Sequence, residues 1–141
     1  MKTFEEEINE KGKIIFTNVG RSMFPLIRQD KDIMIIEKVN GRLKKYDVPL
    51  YHRDSGKYVL HRILKVREND YVICGDNCYI KEYGITDSNI VGVLTAIMRD
   101  GKEIKITDLK YKIYTHLWCD LFFIRAFILR AISVIRRMKK K

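Results

Sequence analysis

The chain has 141 residues, of which 46% are hydrophobic and 33% are charged. This length and balance are typical of one globular domain with a core of its own, and they exclude an intrinsically disordered chain. The formal net charge is +10, but residues 110–141 carry +8 of it. The basic character therefore belongs to the C-terminal end, and we expect no specific nucleic-acid partner for the protein as a whole.

The cysteines and histidines are scattered without the close spacing that zinc sites and disulfide frameworks use. We therefore expect no metal ion and no other cofactor. The first ten residues are acidic and polar and lack the apolar stretch of a signal peptide. This N-terminus predicts a cytoplasmic location.

In chain order, residues 1–12 are predicted to be a polar N-terminal segment, with a short helix over residues 3–11. Residues 13–106 contain short apolar runs separated by turn signals, which predicts a mostly β domain built as a folded sheet or barrel. Asn40-Gly41 predicts a hairpin between the second and third strands. The predicted strands span residues 13–19, 32–39, 47–53, 57–66, 71–74 and 89–98.

Residues 107–141 are predicted to be a basic, apolar C-terminal helix, since residues 111–138 contain no glycine or proline. Charged residues recur within its apolar sequence, so a clean membrane span is not expected. We expect the helix to lie peripherally on an anionic membrane surface, at the inner face of the membrane. Packing on the β domain, a partner's groove and a membrane-embedded helix are the alternatives. The side chains expected to enter the lipid are Trp118, Phe122, Phe123 and Phe127.

Ser22 lies in the turn Gly20-Arg21-Ser22-Met23-Phe24-Pro25, which directly follows the first predicted strand. Gly20 permits unusual backbone angles, and Pro25 restricts the residue before it. Such a turn holds a hydroxyl clear of regular structure, as a nucleophile requires, although many ordinary surface turns have the same composition.

A serine becomes a nucleophile when a base takes its proton. His61 lies in the predicted strand 57–66, and Asp76 lies in the turn Gly75-Asp76-Asn77. Together they offer a base and a carboxylate that would orient it. Every chain of this size contains these residue types, so their spacing alone leaves a structural role open for each.

The turn around Ser22 resembles the serine box of type I signal peptidases and of the related LexA-type self-cleaving repressors. Other segments resemble the boxes of that superfamily in the same order, across roughly residues 13–99. These segments are Asp32-Ile33-Met34-Ile35, Asp47-Val48, Tyr58-Val59-Leu60-His61-Arg62-Ile63, Gly75-Asp76-Asn77 and Ile90-Val91-Gly92-Val93. The resemblance implies a serine endopeptidase that cleaves a peptide or leader sequence through an acyl-enzyme.

His61 stands where bacterial-type signal peptidases have lysine, so the chain resembles the histidine branch of the endoplasmic reticulum, archaea and spore formers. In that branch an acid completes the site. Asp76 is the first candidate for this acid, and Glu82 is the second.

The resemblance also implies an oxyanion hole that uses the backbone N–H of Ser22, and a substrate with small side chains near the cleaved bond. Met23 and Pro25 are the expected substrate contacts. The alternative is a non-catalytic peptide-binding or regulatory module that keeps the peptidase fold and associates with a membrane through its C-terminal helix.

Overall fold

The structure is a computed structural model that describes residues 3–17 and 20–140. An antiparallel sheet curls into a half-barrel, and helices follow it at the C-terminal end. Helices account for 30% of the chain and strands for 32%. The expectation of a mostly β protein is thus confirmed only in part: the antiparallel strands are present, but the helical share is almost as large.

The described residues contain nine strands in two antiparallel sheets. The first sheet has the order β1-β2-β8-β3-β4, with β9 paired to the far end of β8, and the second has the order β5-β6-β7. The strands are β1 (Lys13–Thr17), β2 (Ile33–Glu37), β3 (Pro49–His52), β4 (Tyr58–Leu60), β5 (Arg62–Val66), β6 (Tyr71–Cys74), β7 (Glu82–Ile85), β8 (Ile90–Arg99) and β9 (Lys102–Lys105).

The predicted hairpin between the second and third strands is wrong, because β2 and β3 both pair with β8 and not with each other. β8 is ten residues long and carries apolar side chains on both faces. It therefore occupies the centre of the sheet, where both faces are covered. An Asn-Gly turn is a local signal and contains no information about a strand fifty residues later.

The predicted strand over residues 57–66 is in fact two strands that belong to different sheets. Leu60 packs into the core under the first sheet, whereas Ile63 packs into the core under the second. His61 is the single residue between them, so it lies at the point where the chain crosses from one sheet to the other.

A buried ion cluster holds the segment that follows the serine turn. The fully buried Asp32 carboxylate accepts hydrogen bonds from Arg28 and Arg99, and Arg99 also donates to the Leu26 carbonyl oxygen. Burial by itself would raise the pKa of Asp32, but these hydrogen bonds outweigh it and hold the pKa well below its usual range. Residues 26–32 are thereby tied to the end of β8.

A short 3₁₀-helix (Asp87–Asn89) and three α-helices complete the described residues. The α-helices are α1 (Phe4–Lys11), α2 (Leu109–Asp120) and α3 (Phe122–Lys139). Thr3 and Glu6 form a capping box that starts α1, as expected for a short helix here. The single helix predicted for the C-terminal region is interrupted at Leu121, whose backbone leaves the helical conformation. Ile8 of α1 and Tyr111 of α2 both pack into the core of the first sheet.

Within residues 3–17 and 20–140, no helix combines the length and the hydropathy that a bilayer crossing requires.

Candidate functional site

Ser22 and His61 line the same groove, which has a volume of about 790 Å³. The groove runs between β1 and β4, the two strands that end the order of the first sheet. Phe16 and Thr17 of β1 line one side, and residues 57–60 line the other. Curling of the sheet therefore brings together two segments that are thirty-nine residues apart in the chain.

Gly75 lies at the point where the Ser22 and His61 segments meet. A Cβ atom at this position would be 2.5 Å from the Ser22 carbonyl oxygen and 3.0 Å from His61 Cδ2, so only glycine fits without a shift of the backbone. The Asn77 N–H also donates to the Ser22 carbonyl oxygen at 2.8 Å. The Gly75-Asp76-Asn77 turn thus holds the serine turn against the histidine.

The His61 ring is oriented by a tyrosine. Its Nδ1 lies 3.3 Å from the Tyr51 hydroxyl, and that hydroxyl donates to Glu82 Oε1 at 2.7 Å. A phenol has one proton, so a Tyr51 that donates to Glu82 accepts a hydrogen bond from His61 Nδ1–H. In the neutral ring this tautomer leaves Nε2 with a free electron pair, which is the form a general base needs.

Arg53 fixes the far end of this chain of contacts. Its guanidinium donates to both Glu82 oxygens, at 3.0 and 3.2 Å. Burial raises the pKa of Glu82, but the hydrogen bonds from Arg53 and Tyr51 outweigh it and lower the pKa below its usual value. Glu82 therefore remains ionised and keeps Tyr51 as its donor.

Burial and, to a smaller extent, the nearby Arg53 cation lower the pKa of His61 to about 4, although the Glu82 and Asp76 carboxylates act in the opposite direction. The imidazole is neutral at physiological pH. Burial together with the Glu82 carboxylate likewise raises the pKa of Tyr51 well above its usual value, so its hydroxyl keeps its proton.

Asp76, the first candidate for the orienting acid, makes different contacts. Its carboxylate is fully buried and accepts hydrogen bonds from Arg62 Nε at 2.8 Å, Arg62 Nη2 at 2.9 Å and the Tyr114 hydroxyl at 2.7 Å. No hydrogen bond between Asp76 and His61 occurs in the part of the chain that the structure describes. Arg62 points into the protein while its neighbour His61 faces the groove, so the two carboxylates serve different partners.

The expected substrate contacts also differ from the structure. Met23 is fully buried, and its sulfur accepts a hydrogen bond from the Asp76 N–H at 3.3 Å, so it is not accessible to a substrate. Pro25 lines a second groove, of about 480 Å³, between the serine turn and α3. The apolar side chain of Met23 turns into the core, where its burial is favourable. Ser22 lines the groove shared with His61, whereas Met23 and Pro25 do not.

Among the described residues, no hydrogen bond joins the Ser22 hydroxyl to the His61 ring. Catalytic hydrogen bonds are often long in enzymes without substrate and shorten when the substrate binds. The cysteines Cys74, Cys78 and Cys119 are free thiols, and no cluster of metal-ligating side chains occurs in residues 3–17 and 20–140.

Tyr51 and Arg53 are the site residues that sequence reasoning missed. They contact partners ten to thirty-one residues away, across two sheets, and no local pattern marks them. The alternation of β3 offers only a partial signal: Tyr51 faces the second core, whereas Leu50 faces the first.

The chain was compared with protein-family models, curated proteins and solved structures, and none of the three comparisons finds a match.

Proposed function

We propose that this protein is a serine endopeptidase in which Ser22 is the nucleophile and His61 the general base. The observation that carries the proposal is the groove that both residues line, together with the Tyr51–Glu82 pair that orients the histidine. The half-barrel and the order of the sequence boxes support a fold of the signal-peptidase and LexA kind for this site.

In the proposed reaction, His61 Nε2 takes the proton of the Ser22 hydroxyl as its oxygen attacks the substrate carbonyl carbon. The backbone N–H of Ser22 would donate to the oxyanion of the tetrahedral intermediate. The imidazolium then gives its proton to the leaving amine, and a water molecule repeats the sequence to release the acyl group. The Glu82 charge, relayed by the Tyr51 hydroxyl, stabilises the imidazolium without taking up a proton.

The substrate would be an extended peptide that adds as a strand between β1 and β4. Both strands end the sheet order and present backbone groups to the groove. Aromatic and aliphatic side chains line it beside the polar pair, so the peptide is expected to carry small or apolar residues near the cleaved bond. These lining residues are Phe4, Phe16, Leu50 and Leu60.

Cleavage of a defined peptide library, read by mass spectrometry, tests the proposal. We expect the wild-type chain to cleave a subset of peptides after small residues, and the Ser22→Ala variant to cleave none of them. Ser55→Ala is the matched control, because Ser55 is exposed in a turn outside the groove. Identical cleavage by the Ser22→Ala variant would show that another group or a contaminant is responsible.

A non-catalytic peptide-binding module is the second candidate, and the missing contact between the Ser22 hydroxyl and the His61 ring favours it. That candidate predicts peptides that bind in the groove but remain intact. It also predicts that a hydroxyl-reactive phosphonate probe leaves Ser22 unlabelled. The peptidase proposal predicts that the probe labels Ser22 in the wild type and not in the His61→Ala variant.

The pH dependence follows from the lowered pKa of His61, about 4 against about 6.5 for a free imidazole. The neutral base predominates above the lowered value, so kcat/KM is expected to stay level from about pH 8 to about pH 6 and to fall about tenfold per pH unit below about pH 4. An acidic limb near pH 6.5 would contradict the burial of this imidazole. Initial rates on the best library peptide measure it.

Replacing Tyr51 by phenylalanine keeps the ring but removes the hydroxyl that accepts from His61 Nδ1. We expect kcat/KM to fall about ten- to a hundredfold, because the tautomer of the base is no longer fixed. Tyr58→Phe is the control, since Tyr58 lines the same groove while its hydroxyl donates to Glu5. An equal loss in both variants would assign the effect to groove packing.

A further inference from the structure

Helix α3 exposes a continuous apolar face. At 100° per residue, its exposed apolar side chains fall within an arc of about 180°. Phe127 and Phe123 are 74% and 71% exposed, far more than an aromatic side chain in a packed protein. The face consists of Phe123, Ile124, Phe127, Ile128, Ile132, Val134, Ile135 and Met138.

The orientation of α3 about its axis is set by Arg125, which lies outside the apolar arc. Its side chain is 2% exposed, and its Nη2 donates to the carbonyl oxygens of Gly75 at 3.0 Å and Cys78 at 3.3 Å. The guanidinium also lies over the rings of Trp118 and Phe122. Rolling the helix to bury its apolar face would pull this cation out of the protein, so the face remains turned outward.

The charges around the face are all of one sign. Residues 121–140 contain six lysines and arginines and no acidic residue. Arg130 and Arg137 follow one margin of the apolar arc, Lys139 lies at the other margin, and all three are exposed. A second copy of the chain would bring these cations together across the contact, whereas an anionic surface would neutralise them.

We propose that α3 binds an anionic lipid bilayer, lying in the plane of the interface with Phe123 and Phe127 inserted below the phosphates. The apolar arc and the flanking cations are the pattern of interfacial helices, in which buried apolar area and attraction to anionic headgroups add. This proposal goes beyond the peptidase function and does not depend on it. It also places the groove between the serine turn and α3 beside the lipid surface.

Co-sedimentation with vesicles tests the proposal. We expect the full chain to bind vesicles of phosphatidylcholine mixed with phosphatidylglycerol, and to bind pure phosphatidylcholine at least about tenfold more weakly. Phe127→Asp is expected to reduce binding to the anionic vesicles by at least about tenfold. Leu109→Asp is the matched control, since Leu109 is 72% exposed in the first turn of α2, at the other end of that helix from its junction with α3. This variant should bind as the wild type does.

Three results would overturn the proposal. The first is binding of Phe127→Asp at wild-type strength, and the second is an equal loss in Leu109→Asp. The third is a wild type that does not bind vesicles but forms a lipid-free dimer, which the Phe127→Asp substitution dissociates. This result would show that the apolar face of α3 contacts a second copy of the chain. Circular dichroism confirms that each variant is folded. The Ser22→Ala variant should bind the anionic vesicles as the wild type does, because vesicle binding does not require cleavage. Failure of the membrane proposal is therefore distinguishable from failure of the peptidase proposal.

Discussion

Replacing His61 by alanine is expected to lower kcat/KM for the best library peptide by about 10²- to 10⁴-fold. His61 is the histidine that lines the groove with Ser22, and its Nδ1 contact to Tyr51 leaves Nε2 free to accept a proton. Without this base the serine hydroxyl stays protonated near neutral pH and is a weak nucleophile. Steady-state rates on one purified peptide measure the loss.

His52→Ala is the control for this variant. His52 is half-buried in β3, where its Nδ1 lies 3.4 Å from the Arg53 carbonyl oxygen and its ring packs edge-on against Tyr58. We expect it to retain activity within about threefold of the wild type, since it takes no part in the proposed proton transfer. Full activity in His61→Ala would exclude His61 as the base, and equal losses in both variants would indicate damage to β3 and β4.

Replacing Asp76 by alanine is expected to lower the free energy of unfolding by about 3 to 5 kcal/mol. Asp76 and Arg62 form a fully buried ion pair with two hydrogen bonds, and Arg125 lies 4.0 Å from the same carboxylate. Removing the carboxylate leaves two buried cations without their counter-charge. Urea unfolding followed by tryptophan fluorescence measures the change, because Trp118 donates to the Asp76 carbonyl oxygen.

Asp100→Asn is the control, because Asp100 pairs with Arg28 at 3.2 Å but is 76% exposed, and asparagine, unlike alanine, tolerates its positive φ of 52°. An exposed pair contributes about 0 to 1 kcal/mol, so this variant should unfold almost as the wild type does. The double variant Asp76→Leu with Arg62→Met should be more stable than Asp76→Ala, since it removes both buried charges of the pair. If Asp76→Ala unfolds at the same urea concentration as Asp100→Asn, the pair does not stabilise the fold.

The same variant separates the two candidate acids. Asp76 stabilises the interior between the second sheet and α2, whereas Glu82 is linked to His61 through Tyr51. A folded Asp76→Ala protein should keep the acidic limb of its pH profile near the wild-type position. A large shift of that limb would show that Asp76, and not Glu82 alone, determines the pKa of His61.

A good part of the candidate site could be predicted from the sequence. Ser22, His61 and Glu82 are candidate site residues by their resemblance to the boxes of a known superfamily. In the structure Ser22 and His61 line one groove, and Tyr51 links His61 to Glu82. The relative roles of Asp76 and Glu82 could not be assigned in this way. They depend on which carboxylate faces His61 and which faces Arg62, where the chain passes from β4 to β5. That choice is made by the burial of Arg62 and Ile63, not by residues near either acid in the chain.

The sequence by itself determined the pieces: short strands from their apolar runs, a helical C-terminal region from its lack of glycine and proline, and a serine held in a turn. These follow from backbone preferences and apolar spacing, which act over a few residues. The tertiary structure decided the rest: the insertion of β8 between β2 and β3, the break at His61, and the contact of Arg125 with the Gly75 turn. Each of these features depends on burying apolar area or a charge against residues that are distant in the chain. Because such contacts join distant residues, no pattern in a few consecutive residues predicts them.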